Sequence, residues 1–210
     1  MGIQKWKDRP WDAKSDHPLY KTFPIPEIEI LLQYTSSIPK GGKFLELGTH
    51  LGRTTREVAA WRPDIHCVTV DHFNFDQTKL TDYYKEIIEI VLNGKMYDYK
   101  MVCDFLKPYS NIEIIKSEIG KYLYNTNITF NLIFLDAPKN YEKLIETLKL
   151  LDKNLKTGGY IAIHDIWEDI DIPLAIKDII GKDKRYIEME NFRLENSTGI
   201  GIYKKEKNAK

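Results

Sequence analysis

Two groups of residues in this chain have the types and spacing to do chemistry together. The first is the run Lys43-Phe44-Leu45-Glu46-Leu47-Gly48-Thr49-His50-Leu51-Gly52-Arg53-Thr54. A short apolar strand ends at Gly48, the chain turns through Thr49 to Gly52, and Arg53 to Trp61 has the composition and length of a helix. A strand, a glycine turn and a helix in that order cradle a polar ligand. The helix N-terminus offers unpaired N–H groups, and glycine lets the ligand approach the backbone. The second group is Asp136, Lys139, His164 and Asp165, at the predicted ends of two strands. Two carboxylates and an imidazole suit a divalent ion such as Mg²⁺, and the histidine also admits Mn²⁺, Fe²⁺ or Zn²⁺. Lys139 follows Asp136 by three residues and can look back into the same mouth. A lysine beside a cation can serve as a general base at neutral pH. Plainer roles stay open: Asp136 holding a loop or a cofactor amine, His164 capping a strand, Lys139 on the surface at a helix start.

The surrounding pattern positions these groups. Glu27 to Ser37 carries Ile28, Leu31, Leu32 and Thr35 at helical spacing and stops before the breaker cluster Pro39-Lys40-Gly41-Gly42. Ile65 to Val70 reads as a second strand with Asp71 at its tip, where an acid can accept both hydroxyls of a ribose or simply cap a helix. His72 borders the same place or is a plain loop histidine. Asn111 to Ser117 is a third strand followed by a short helix, Glu118 to Tyr124. Thr129 to Leu135 is almost wholly apolar, as the central strand of a parallel sheet should be. Tyr141 to Leu151 is helical, Lys153 to Gly159 a turn, Tyr160 to Ile163 a fifth strand, and Ile170 to Ile180 a helix. Arg185 to Met189 and Gly199 to Tyr203 form a terminal strand pair joined by Asn191 to Ser197. Residues 1–26, rich in Trp and Pro, read as an arm packed across the domain or a subunit neighbour, which gives a homo-oligomer a route. Residues 76–108 form a helical insertion that covers the substrate or merely the sheet. Residues 205–210 are a charged tail.

Composition narrows the function. With 31 basic and 31 acidic residues the formal net charge is zero, which disfavours a nucleic-acid binder that relies on counterion release. No apolar run is long enough for a membrane span and the N-terminus lacks a signal-peptide core, so a cytoplasmic protein is expected. Two cysteines, Cys67 and Cys103, make no disulfide framework or metal cluster, and Cys67 reads as a buried strand thiol. The glycines of the first turn are spaced G-x-x-x-G rather than G-x-G-x-x-G, and no G-x-x-x-x-G-K-[ST] occurs. A nicotinamide-dependent dehydrogenase is therefore a weak alternative and a P-loop is disfavoured.

Glu46-Leu47-Gly48-Thr49 with Gly52, Asp71, Asp136-Ala137-Pro138-Lys139-Asn140-Tyr141 and Gly158-Gly159-Tyr160-Ile161-Ala162-Ile163-His164-Asp165, in that order, resemble the class I S-adenosylmethionine (SAM) dependent methyltransferases. The closer likeness is to small-molecule O-methyltransferases of the catechol and caffeoyl-CoA type and to the cephalosporin-hydroxylase and rhamnosyl O-methyltransferase group. The resemblance covers Lys43 to Tyr203 and implies a SAM-dependent methyltransferase domain over residues 27–204. The implied fold is α/β: a Rossmann-like doubly wound seven-stranded sheet, mostly parallel with an antiparallel last strand and helices on both faces. Implied cofactor contacts are Glu46, Gly48, Thr49, His50 and Gly52 on the first turn, Asp71 and His72 after the second strand, and Ser117 and Glu118 beside the adenine. In the catechol-type enzymes the residue matching Asp136 binds metal and the one matching Lys139 is the proposed base; here His164-Asp165 replaces their Asp-Asn pair. The implied reaction is O-methylation of a hydroxyl on a sugar, phenol or secondary metabolite, with Asp136, His164 and Asp165 on the ion. Methylation of a nitrogen or a protein without metal is the alternative.

Overall fold

The computed structural model describes residues 25–74, 85, 98–167, 170–193 and 197–207. The expected arm apart from Ile25 and Pro26, which belong to α1, most of the expected insertion, residues 194–196 of the last loop and the end of the tail lie outside the described residues. The elements run α1 (Ile25–Thr35), β1 (Lys43–Leu47), α2 (Arg53–Trp61), β2 (His66–Asp71), α3 (Tyr99–Leu106), β3 (Ile112–Lys116), α4 (Ile119–Asn125), β4 (Phe130–Leu135), α5 (Tyr141–Asn154), β5 (Leu155–His164), α6 (Asp171–Ile179), β6 (Tyr186–Phe192) and β7 (Ile200–Lys205).

The strands form one sheet in the order β3-β2-β1-β4-β5-β7-β6. β1 to β5 pair in parallel, and β7 lies antiparallel to both β5 and β6. The alternation of side chains along each strand divides the core between two faces. Phe44, Cys67, Leu132, Phe134 and Ala162 pack under α1 and α2 with Ile28, Leu31, Leu32, Val58 and Ala59. Leu45, Leu47, Val68, Val70, Ile133, Leu135, Ile161 and Ile163 pack under α4, α5 and α6. Cys67 is fully buried, and burial pushes its thiol up to about 12, so it packs rather than reacts.

Two details depart from the pattern. The turn expected over Lys153 to Gly159 is instead the end of α5 and the first half of β5. Pairing with β4 skips from Phe130↔Leu155 to Leu132↔Tyr160, so the intervening residues bulge out of the ladder without ending the strand. The Arg62-Pro63-Asp64 link does more than close α2. The Arg62 guanidinium donates to the carbonyls of Thr35 at 2.6 Å and Ile38 at 2.7 Å, and pairs with Asp64, tying the end of α1 to the entrance of β2. Among the described residues no helix is long and apolar enough to cross a membrane.

Candidate active site

Register brings the two chemical groups to one edge. Leu47 pairs with Val70 and with Leu135, Leu135 with Ile163, and Asp71 with Lys116. The residues that follow these, Gly48, Ser117, Asp136 and His164, therefore leave the sheet together with Asp71 at its carboxyl edge. This is where ligands bind in open parallel sheets.

The turn after β1 is built from its backbone. Gly48 has φ 98°, and a Cβ there would lie 3.0 Å from Ala137 Cβ and 3.2 Å from Ala137 N. The glycine is needed because the loop after β4 crosses directly against it. Gly52 (φ 78°) opens α2, which among the described residues has no side-chain cap on its first amides. Asp71 reaches across: its carboxylate accepts from the N–H groups of Thr49 at 3.0 Å, His50 at 3.2 Å and Phe73 at 2.8 Å. A carboxylate offers about four acceptor sites, so one remains for a ligand hydroxyl. His50 lies within electrostatic reach of Asp136, Asp71 and Lys139, and burial lowers its pKa more than the two acids raise it. His72 is half exposed and accepts from Asn74 N at 2.8 Å, a loop-fixing contact. Ser117 Oγ donates to the Glu118 carbonyl at 3.1 Å, and Glu118 is exposed at the start of α4.

Glu46 lies beneath the turn rather than on it. Its place in β1 aims it between α2 and β2, where Thr55 Oγ1 of α2 donates to Oε2 at 2.5 Å and Thr69 Oγ1 of β2 at 2.7 Å. Thr49 and Thr69 hydroxyls share a 2.6 Å bond above it. Burial pushes the Glu46 carboxyl up to about 8, against the pull of the threonine hydroxyls. The consequence for stability has a definite sign. Below about pH 4.5 the carboxyl is protonated in both folded and unfolded chains; from there to about pH 8 only the unfolded chain ionises, so stability falls as pH rises. Glu46→Gln is expected to remove that slope, about 1.4 kcal/mol per pH unit at most. Urea unfolding at several values between pH 5 and 8 checks it, and parallel curves for the two proteins would refute it.

The second group meets at the ends of β4 and β5. Asp136 Oδ1 accepts from Lys139 Nζ at 3.2 Å and lies 3.1 Å from His164 Nδ1. Lys139 Nζ is also ion-paired with Asp165 Oδ2, so its charge lies against both aspartates. Asn140 caps α5 by accepting from Lys143 N at 3.0 Å, which fixes the start of the helix just after Lys139. Burial works to raise the pKa of Asp136, but His164 and Lys139 outweigh it and hold the carboxyl near about 2. Asp165 sits at φ 59° and is almost wholly buried. Asp136, His164 and Asp165 each present a ligand atom within 4.8 Å of the others.

Sequence reasoning missed the residue that completes this group. Glu27, fully buried in the first turn of α1, places Oε2 2.8 Å from His164 Nε2 and accepts from Gly199 N through Oε1 at 2.9 Å. His164 thus has carboxylates at both ring nitrogens. Burial lowers its pKa, but Asp136 and Glu27 overcome that and raise it. Glu27 and His164 are separated by 137 positions, and a glutamate at the start of a helix carries no signal of such a contact.

Comparison with known proteins follows the same lines. A family model described as a methyltransferase domain matches residues 45–166, from β1 to the end of the His164-Asp165 motif. No curated protein sequence matches the chain. Solved structures with the same fold include a Staphylococcus aureus protein assigned as a caffeoyl-CoA O-methyltransferase, 16% identical over 91% of this chain and 93% of that one, with a TM-score of 0.60. The N-methyltransferase NodS from Bradyrhizobium japonicum WM9, solved with S-adenosylhomocysteine, is 16% identical over 94% and 92%, TM-score 0.58. CalS11, a TDP-rhamnose 3'-O-methyltransferase of calicheamicin biosynthesis, is 16% identical over 94% and 88%, TM-score 0.56. At such identities the likeness carries the fold, while the family match spans more than half of the chain and sets the dehydrogenase alternative aside. The chain belongs to the methyltransferase-domain family, and it is a SAM-dependent methyltransferase of the class I fold.

Proposed function

We propose that this enzyme transfers the methyl group of SAM to a hydroxyl oxygen of a small molecule such as a sugar, phenol or secondary metabolite. The observation that carries the proposal is the meeting of Asp136, Lys139, His164 and Asp165 at the sheet edge beside the Gly48 turn. Neighbours of the same fold methylate oxygen or nitrogen, so the fold does not choose the acceptor.

The cofactor half of the site is assigned to the first turn and the tips of β2 and β3. The N-terminus of α2, Gly48, Thr49, His50 and Gly52 form the cradle. Asp71 offers its remaining acceptor site to a ribose hydroxyl, and Ser117, Glu118 and His72 border the nucleoside. Glu46 supports the cradle from below through the threonine hydroxyls.

The donor set fits a divalent cation of the Mg²⁺ or Mn²⁺ kind: two aspartate oxygens and one imidazole nitrogen within a few ångströms. Asp136, Asp165 and His164 Nδ1 would hold it, with Glu27 fixing the opposite ring nitrogen as carboxylates do behind metal-binding histidines. When bound, such an ion supplies charge stabilisation to an acceptor oxygen that is losing its proton. Methyl transfer breaks the S–CH₃ bond as the O–CH₃ bond forms, leaving S-adenosylhomocysteine, and the hydroxyl proton must go to a base. Lys139, at the rim of the group, is assigned that proton, which it takes as the neutral amine after giving up its own proton to solvent. Most of the catalysis then lies in holding oxygen and sulfonium methyl in line. A second reading, transfer without metal to a nitrogen or a protein, is favoured by one observation: the Lys139 ammonium already lies on both aspartates.

The test is transfer of labelled methyl from SAM to a panel of phenols, sugars and amines, with and without EDTA. Oxygen-linked product that falls at least about tenfold in EDTA is expected. Product on nitrogen, undiminished by EDTA, would overturn this reading in favour of the second.

A further inference from the structure

The carboxylates assigned to a metal ion already hold a cation that belongs to the chain. Lys139 Nζ donates to Asp136 Oδ1 at 3.2 Å and is ion-paired with Asp165 Oδ2. Among the described residues, these two aspartates and His164 make up the candidate ligand set, with one ligand atom of each within 4.8 Å of the others. A divalent ion on the two carboxylates would take the place the ammonium now holds. An ammonium and a divalent ion side by side in a partly buried site would repel strongly, because little water is present to screen them. The two aspartates repel each other, and Lys139 relieves that repulsion beside the His164 ring, whose Nδ1 lies 3.1 Å from an oxygen of each.

The two sides differ in freedom to move. The Asp165 side chain is 6% exposed and its backbone is fixed in a left-handed conformation, so its carboxylate stays in place. Lys139 is 42% exposed and stands on a flexible stem just before the Asn140 cap, so it can swing off the two carboxylates to the rim of the site without disturbing α5. The lysine is therefore the member that yields.

We propose that Lys139 and a divalent cation are alternative occupants of the Asp136–Asp165 pair, so that the chain carries a built-in competitor for its own metal site. The inference rests on the metal reading given above. It implies that the metal affinity of the protein is lower than its ligand set alone would give, because each binding event must first displace the lysine.

The experiment is a titration of the full chain with Mn²⁺, followed by the loss of the free-ion electron paramagnetic resonance signal, for the wild type, Lys139→Gln and Lys139→Arg. Calorimetry with S-adenosylhomocysteine confirms that each variant is folded. Lys139→Gln is expected to bind Mn²⁺ at least about tenfold more tightly than the wild type, a difference of about 1.4 kcal/mol. Lys139→Arg is expected to bind more weakly, because a guanidinium grips two carboxylates through its fork. Equal affinity in wild type and Lys139→Gln, with both binding Mn²⁺, would overturn the competition and leave the metal reading standing. No binding by any of the three, with S-adenosylhomocysteine still bound, would overturn both. If Lys139→Gln does not fold, the arginine variant decides: affinity equal to or above the wild type refutes the competition.

Discussion

Replacing Glu27 by alanine is expected to destabilise the protein by about 3–5 kcal/mol, the range for removing one partner of a buried ion pair. The expectation follows from what is left behind. His164 Nε2 would lose its 2.8 Å partner inside the core and keep the longer 3.4 Å contact to Thr198 Oγ1, and Gly199 N would lose its Glu27 acceptor in the same change. A buried donor stripped of its partner bears the full desolvation cost. Glu27→Gln should cost less, because the amide oxygen can still accept one of the two bonds. The loss is large against the whole stability of a domain this size, typically about 5–15 kcal/mol. Urea unfolding of the two variants beside the wild type measures it. A loss below about 1 kcal/mol for the alanine variant would show that Glu27 does not hold His164, and the account of the second group would fall with it.

Gly48→Val should be nearly as damaging, and to both halves of the site at once. The backbone there has φ 98°, a region a β-branched residue enters only at a cost of about 1–3 kcal/mol. The new Cβ would stand 3.0 Å from Ala137 Cβ and 3.2 Å from the Asp136 carbonyl carbon, adding overpacking of about 1–3 kcal/mol. Relief must come from moving the loop after β4, and Asp136 moves with it. Misplacement of a reacting group by about 1 Å can cost about a hundredfold in rate, so methyl transfer should fall by at least that much. S-adenosylhomocysteine affinity by calorimetry and turnover with the best acceptor are the two readouts. A valine variant that bound the product and turned over normally would show that the first turn and the Asp136 loop are independent.

Much of the fold could be read before any coordinates, because strand and helix periods are local properties. The β1 strand and the α2 helix stand where the glycine turn puts them, and Ile28, Leu31, Leu32 and Thr35 are all buried as their helical spacing requires. The misread stretch was Lys153 to Gly159, where a glycine pair signals a turn by composition alone. Pairing with β4 on one side keeps it in the sheet as a bulged strand, and pairing is not a local property.

The candidate site divides in the same way. That Asp71, Asp136, His164 and Asp165 share one edge was legible, since each follows an apolar run and parallel strands end together. How those side chains spend their bonds was not. Asp71 braces the first turn through the Thr49 and His50 amides, Glu46 sits under a lid of threonine hydroxyls, and Lys139 lies across two aspartates. None of these contacts is fixed by residue type, because each depends on which face a neighbouring element turns inward.

By itself, the order of apolar runs, glycine breaks and terminal acids determined a class I methyltransferase sheet and the edge at which its candidate site lies. The tertiary structure alone decided that a glutamate from the helix before the first strand should clamp His164, and that Lys139 should lie against both Asp136 and Asp165. The physical reason is that strand and helix patterns act over a few residues, whereas the pairing of buried charges is settled only when elements far apart in the chain close upon one another and exclude water.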